Sequence, residues 1–154
     1  MKTEDVMFRR AVAEDLAAII ALIADDQLGQ QREDPSLPLA GTYLKAFAAI
    51  EADANQILAV AVGGGVVVGT LQLTFIPGLA RRGAWRGQIE AVRIARIHRG
   101  GGLGQSLMEW AIAACKARGC NLVQLTSDKA RGDAHRFYER LGFKASHEGY
   151  KRAI

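Results

Sequence analysis

Six consecutive residues, Arg99-Gly100-Gly101-Gly102-Leu103-Gly104, set a permanent positive charge beside glycines where an apolar strand pattern gives way to a helical one. The chemistry open to such a turn is anion binding. The first turn of a helix offers N–H groups without intrahelical partners and the positive end of the macrodipole, and glycines leave the backbone open to a bulky phosphate. Two common nucleotide patterns fit poorly. A dinucleotide fold carries its glycine fingerprint after the first strand of a βαβ unit, with an acidic residue about 20 positions on, whereas this turn follows a predicted hairpin late in the chain. The nucleotide P-loop closes on Lys-Ser or Lys-Thr, and here the residues are Gln105-Ser106. The plain alternative for the glycines is a flexible loop with a helix cap.

The elements that would position this turn follow from periodicity and punctuation. Met7 to Arg10 reads as a short strand, and Leu16, Ile19, Ile20 and Ile23 recur at helical spacing until Asp25, Asp26 and Gly29 interrupt them. A polar loop is expected over Gln30 to Pro38, then a second helical face of Tyr43, Leu44, Phe47 and Ile50. Ile57 to Val62 and Val66 to Phe75 are β-branched runs joined by Gly63-Gly64-Gly65, a hairpin signal. Trp85 to Ile97 reads as a long strand. Leu103, Leu107, Trp110, Ala111 and Ala114, widened by Met108, Ile112 and Cys115, form a broad helical stripe that must be mostly buried. Gly119 is placed to end that helix, and Leu122 to Leu125 gives a short strand. Asp133 is expected to cap a last helix carrying Ala134, Phe137, Tyr138 and Leu141, with Gly142 ending it before Phe143 leads into a final strand pair toward Tyr150. The alternation is that of an α/β fold.

Composition narrows the classes. With 154 residues, 49% of them apolar, one domain spanning 1–154 can bury a sufficient core. No apolar run approaches the roughly 20 residues that cross a bilayer, and the N-terminal residues lack a signal peptide's basic-then-apolar order, so a cytoplasmic protein without membrane contact is expected. Cys115 and Cys120 have no nearby His or acidic ligands, which predicts reduced packing residues and no metal site. The net charge of +4 comes from scattered Lys and Arg, a distribution that suits a small polyphosphate better than nucleic acid.

Two segments carry a family resemblance. Arg99-x-x-Gly102-x-Gly104 matches the Q/R-x-x-G-x-G/A signature of the GNAT acetyltransferases and, as in that family, follows an apolar strand, Val92-Arg93-Ile94. Ala134 to Phe143 resembles the family's A-x-x-F-Y-E-x-L-G-F segment, and Phe8 to Leu16 is similar to its opening strand and helix, so the likeness spans nearly the whole chain. The resemblance implies a mixed central sheet of six to seven strands with about four helices, splayed between the fourth and fifth strands. It also implies acetyl-CoA as cosubstrate, seated in that gap with its diphosphate on the glycine turn. Coenzyme contacts are thereby expected from Val92, Arg93, Ile94, Arg99, Gly100, Gly101, Gly102, Leu103, Gly104, Gln105, Arg131 and His135. Where the family often carries Asn three positions before the alanine of the second segment, this chain departs with Arg131, which meets a coenzyme phosphate or does nothing; Lys129 poses the same choice.

The resemblance further implies direct transfer of acetyl to a primary amine in a ternary complex. Glu90 takes the position of the base that deprotonates the amine, the bland reading being a solvated or Arg93-paired strand residue. Tyr138 takes the position of the phenol that protonates the departing thiolate, where otherwise a Phe-Tyr pair on a helix would be core. Asp34, Glu33 and Asp128 are weaker base candidates, and His98 and His135 read as surface or packing residues rather than bases. Acceptor recognition is expected from Asp26 to Leu39 and Ile76 to Arg86, where Glu33-Asp34 suits a cation and Arg81, Arg82 and Arg86 suit an anion. The Leu125 to Lys129 and Asp133 to Tyr138 segments also resemble small-amine acetyltransferases, including those acting on aminoalkylphosphonates. A homodimer is possible by the same likeness. A coenzyme A-binding sensor without turnover and a protein amine acetyltransferase are the alternatives.

Overall fold

The computed structural model describes residues 5–154; the first four residues lie outside it. Five strands form one mixed sheet in the order β1-β2-β3-β4-β5: Val6–Arg10, Gln56–Gly63, Val66–Ile76, Trp85–Ile94 and Cys120–Leu125. The first four are antiparallel neighbours, and β5 joins β4 in parallel. Gly64 and Gly65 take φ of +58° and +79° between the paired Gly63 and Val66, the two-residue turn whose twist matches a hairpin.

Six helical segments surround the sheet: α1 Leu16–Ala24, α2 Gly29–Arg32, α3 Gly41–Ala52, α4 Ala80–Gly83, α5 Leu103–Ala117 and α6 Gly132–Arg140. Two of them, α2 and α4, are single turns, which leaves four longer helices as expected. The α5 stripe packs as its spacing demands: Leu107, Met108, Ala111 and Cys115 are buried on Leu71, Leu73, Phe75 and Ile89. Contact is close enough that a Cβ on Gly87 would lie 2.2 Å from Cys115 Sγ, so the strand backbone itself meets the thiol. Burial pushes that thiol up to about 12, leaving it an inert packing group. Leu16, Ile19 and Ile20 of α1 are buried as well, in the helix that follows β1.

Several boundaries differ from expectation. The strand read to Ile97 ends at Ile94, because Arg96–His98 closes into a 3-10 turn with the His98 N–H on Ala95 O. The polar loop begins with α2. No strand follows α6: residues 144–154 are exposed throughout, so among the described residues the sheet has five strands instead of six or seven. Asp133 lies inside the first turn of α6 and pairs with Arg136, which leaves Arg131 as the capping residue and no side chain bonded to the helix's first N–H groups. Gly119 and Gly142 do end their helices, at φ of +78° and +88°. Among the described residues no helix is long and apolar enough to cross a membrane.

Candidate active site

The parallel pairing of β4 with β5 stops at Ile89 and Leu125, yet β4 runs on to Ile94. Glu90 to Ile94 therefore keep β3 on one edge and present the other edge without a strand partner. Within this stretch the ladder to β3 slips: Gln72 faces Glu90 and Thr70 faces Arg93, so Leu71 alone opposes Ala91 and Val92. This is a bulge, and Ala91 enters it at φ +52°, a conformation that costs a residue with a Cβ about 1–2 kcal/mol. A non-glycine strained at the end of a strand pairing is where function concentrates. No residue type announces it, since alanine signals neither a bulge nor a positive φ.

Beyond the bulge, the Ala95 N–H reaches Val68 O of β3, so the groups of Ile94 point to the open edge by alternation. Two side chains occupy carbonyls there: Arg93 Nη1 donates to Val92 O and Arg99 Nε to Ile94 O, each at 2.9 Å. The Val92 and Ile94 side chains meanwhile pack into the core under α5.

The glycine turn leads directly into α5. Gly100 and Gly102 stand at φ +78° and +86°, and Gly102 is the capping residue, with no side chain bonded to the first N–H groups of the helix. An added Cβ at either glycine would meet nothing within 4 Å, and at Gly101 only His98 O at 3.8 Å. The turn is thus bare of side chains on its open side while the helix dipole emerges through it. Leu103 is buried, Gly104 lets α5 approach Phe137 of α6 and Ile94, and Gln105 bonds Glu109 one turn on at 2.8 Å. Arg99 also pairs with Asp25 at 3.5 Å.

From the other side of the gap comes α6. Tyr138 is half-buried against the core, edge-on to Phe137 and Phe143 with ring centroids 5.3 and 6.1 Å away. Burial raises its phenol above the ordinary tyrosine range, and Arg93 and Arg131 pull it only part of the way back. The phenol therefore keeps its proton through neutral and mildly alkaline pH. His135 is turned to the Asp128 carbonyl at 2.9 Å.

A group that sequence reasoning did not assemble links these elements. Asp26 follows α1, Arg93 sits on β4 and Arg131 caps α6, and the Oδ2 of Asp26 lies 3.3 Å from Arg93 Nη2 and 2.8 Å from Arg131 Nη2. Its Oδ1 accepts the Gly29 N–H at 2.6 Å. Gly29 had read as a helix break; in the fold a Cβ there would strike Ile23 O at 2.1 Å, so only glycine can bring this N–H to the carboxylate. Burial is the largest influence on Asp26 and pushes its pKa up, but the Gly29 N–H and the two arginines together outweigh it and hold the carboxyl below the usual range. Arg93 is thus paired with Asp26, and Glu90 stands exposed on the same face of β4, one pleat away. Glu33 accepts the Tyr43 hydroxyl at 2.8 Å and the Asp34 N–H donates to that oxygen at 3.0 Å, tying both acidic candidates to α3. Arg81 and Arg82 are exposed, both at positive φ.

Residues 17–143 match the model of the acetyltransferase (GNAT) family. The chain belongs to the GNAT family. It is 31% identical to an aminoalkylphosphonate N-acetyltransferase of Salmonella typhimurium, over 99% of this chain and 97% of that protein. Among solved structures, a transcriptional regulator from Bacillus halodurans is 50% identical with a TM-score of 0.94, the match covering 97% of this chain and 99% of that one. A candidate acetyltransferase from Agrobacterium tumefaciens is 27% identical with a TM-score of 0.84, covering 96% and 99%. The mixed sheet that opens between β4 and β5 is thus the GNAT arrangement, and the turn and α6 segments lie within the matched residues.

Proposed function

We propose that this GNAT protein transfers an acetyl group from acetyl-CoA to the primary amine of a small molecule. The observation that carries the reading is the bare, left-handed turn at Gly100 to Gly102, opening the uncapped end of α5 beside the free edge of β4. The residues fit the carrier: empty space where side chains would stand suits a diphosphate, and the unpaired edge from Glu90 to Ile94 suits an amide-rich arm lying as an extra strand. Backbone of Gly100 to Gly104 with Arg99 would hold the phosphates, and backbone of Val92 and Ile94 the arm. When bound, acetyl-CoA supplies an acetyl group activated as a thioester.

The chain's own residues then have two protons to manage. An alkylamine holds its extra proton up to a pKa of about 10.4, so Glu90, exposed on β4, takes that proton directly or through water. Nitrogen bonds to the acetyl carbon as the carbon–sulfur bond breaks; the Tyr138 hydroxyl gives its proton to the departing sulfur, and the proton the nitrogen must still lose to become a neutral amide returns to the Tyr138 oxygen, directly or through water. Thiols have a pKa of about 8.5, so this help accelerates departure without being indispensable. The activity named for the Salmonella relative makes aminoalkylphosphonates the first acceptors to try.

Release of coenzyme A thiol should follow addition of a small amine to the protein with acetyl-CoA. Gly102→Glu should weaken acetyl-CoA binding by more than about tenfold in calorimetry, by placing negative charge at the positive helix end. Gly101→Glu should do the same; its backbone is not left-handed, so loss in both reports charge and not strain. Unchanged affinity in folded variants removes the diphosphate assignment. The regulator named for the Bacillus relative favours a second reading, a coenzyme-binding sensor, which predicts acetyl-CoA binding with no thiol release from any amine.

A further inference from the structure

Between α1, β4 and α6, two arginines share one carboxylate. The Arg93 side chain is only 17% exposed and that of Arg131 30%, yet Asp26 is the sole carboxylate paired with either among the described residues. Asp25 beside it is taken by Arg96 and Arg99. One guanidinium charge is left over in a partly buried place, a costly arrangement unless an anion arrives. The bonding is incomplete in detail as well. Arg93 Nε is buried without an acceptor, and Asp26 Oδ2 has both guanidiniums near it but no N–H aligned to it.

Position says which molecule would bring the anion. The coenzyme's phosphates are separated from its sulfur by the whole pantetheine arm. Arg131 caps α6, the helix that carries Tyr138, the group assigned above to the sulfur, and Arg93 Nη1 donates to Val92 O on the open edge of β4. Arg93 also shares a face of β4 with Glu90, the two residues lying opposite Thr70 and Gln72, which places them about 7 Å apart along the strand.

Resting on the transferase reading, we infer that Arg93 and Arg131 form an anion subsite for the acceptor, whose amine and anionic group are joined by a short chain that reaches from Glu90 to the two guanidiniums. Asp26 holds the arginines together without neutralising both. Carboxylate, sulfonate and phosphonate share the needed chemistry, and a guanidinium pair favours the anion with most oxygens to accept from it.

The test compares kcat/KM for 2-aminoethylphosphonate, taurine and β-alanine with that for propylamine, in the parent protein and in Arg131→Gln and Arg131→Lys, alongside calorimetry of acetyl-CoA. The parent should prefer the anionic amines at least tenfold. Arg131→Gln should cut that preference at least tenfold, Arg131→Lys should restore part of it, and acetyl-CoA affinity should stay within twofold. Equal use of propylamine by the parent overturns the inference, and so does an Arg131→Gln variant that loses acetyl-CoA affinity while keeping acceptor selectivity. If acetyl-CoA binds but no amine releases thiol, the transferase reading fails separately. Calorimetry of 2-aminoethylphosphonate on the coenzyme A-loaded protein then decides: binding lost in Arg131→Gln supports the subsite, and no binding to the parent overturns it.

Discussion

At the two ends of α1 stand two aspartates that meet arginine in different ways. Before the helix, Asp15 receives both Arg9 nitrogens at 2.6 and 3.0 Å and the Val12 N–H at 2.8 Å, a fork-to-fork contact in which every carboxylate oxygen is used. Beyond its last turn, Asp26 is bonded on one oxygen by Gly29 and flanked on the other by two guanidiniums that do not align. The first arrangement is closed and fastens β1 to α1. The second has positive charge and donors in excess, at the junction of the elements that form the site. Arginine–carboxylate contacts alike in distance thus divide by whether their bonding capacity is filled: a filled pair stabilises, and an unfilled one is available to a ligand.

The comparison breaks most readily on stability. Asp15→Ala should cost about 3 kcal/mol, the lower end of the range for breaking a buried pair because the Arg9 side chain is a third exposed and can regain water. Denaturant titration checks it, and a loss no larger than that of a surface variant would mean Asp15 is not the closed pin described.

Tyr138→Phe should lower kcat by about tenfold, about 1.4 kcal/mol in barrier, with acetyl-CoA affinity held; equal turnover would leave Tyr138 to packing alone. Asp26→Asn should cost less than Asp15→Ala in the same titration, because the neutral amide keeps the Gly29 bond and still offers an oxygen to the two guanidiniums. A cost equal to that of Asp15→Ala would erase the distinction between the two ends.

Acidification gives the finest discrimination. Asp15 is held below its ordinary pKa, first by the Arg9 hydrogen bonds, then against burial and with help from the Val12 N–H. A depressed carboxyl contributes stability that is complete above the unfolded pKa of about 3.9 and lost as pH falls through its folded value. Unfolding midpoints should therefore drop below about pH 4, and Asp15→Asn should flatten that drop more than Asp26→Asn does. Equal flattening by the two variants would contradict the contrast.

Much of the architecture was legible because it follows from local rules. Gly64-Gly65 dictated a tight hairpin, the α5 stripe dictated a buried helix, and Gly119 and Gly142 marked helix ends, all from residues within one turn of one another. The reading of Asp133 as a cap failed because Arg136, also on α6, competes for its carboxylate. The final strand pair failed because residues 144–154 pair with no strand and stay exposed throughout.

The linear order of residues by itself determined the family, the strand–turn–helix that exposes the end of α5, and the presence of Glu90 and Tyr138 as groups able to move protons. Only the tertiary structure decided that β5 stops at Leu125 while β4 continues, that Ala91 bends into a bulge, and that Asp26, Arg93 and Arg131 converge. The physical reason is range. Backbone conformation and amphipathic spacing are fixed by neighbours a few positions away, whereas strand register and charge pairing are set by which distant segments the packed core brings together.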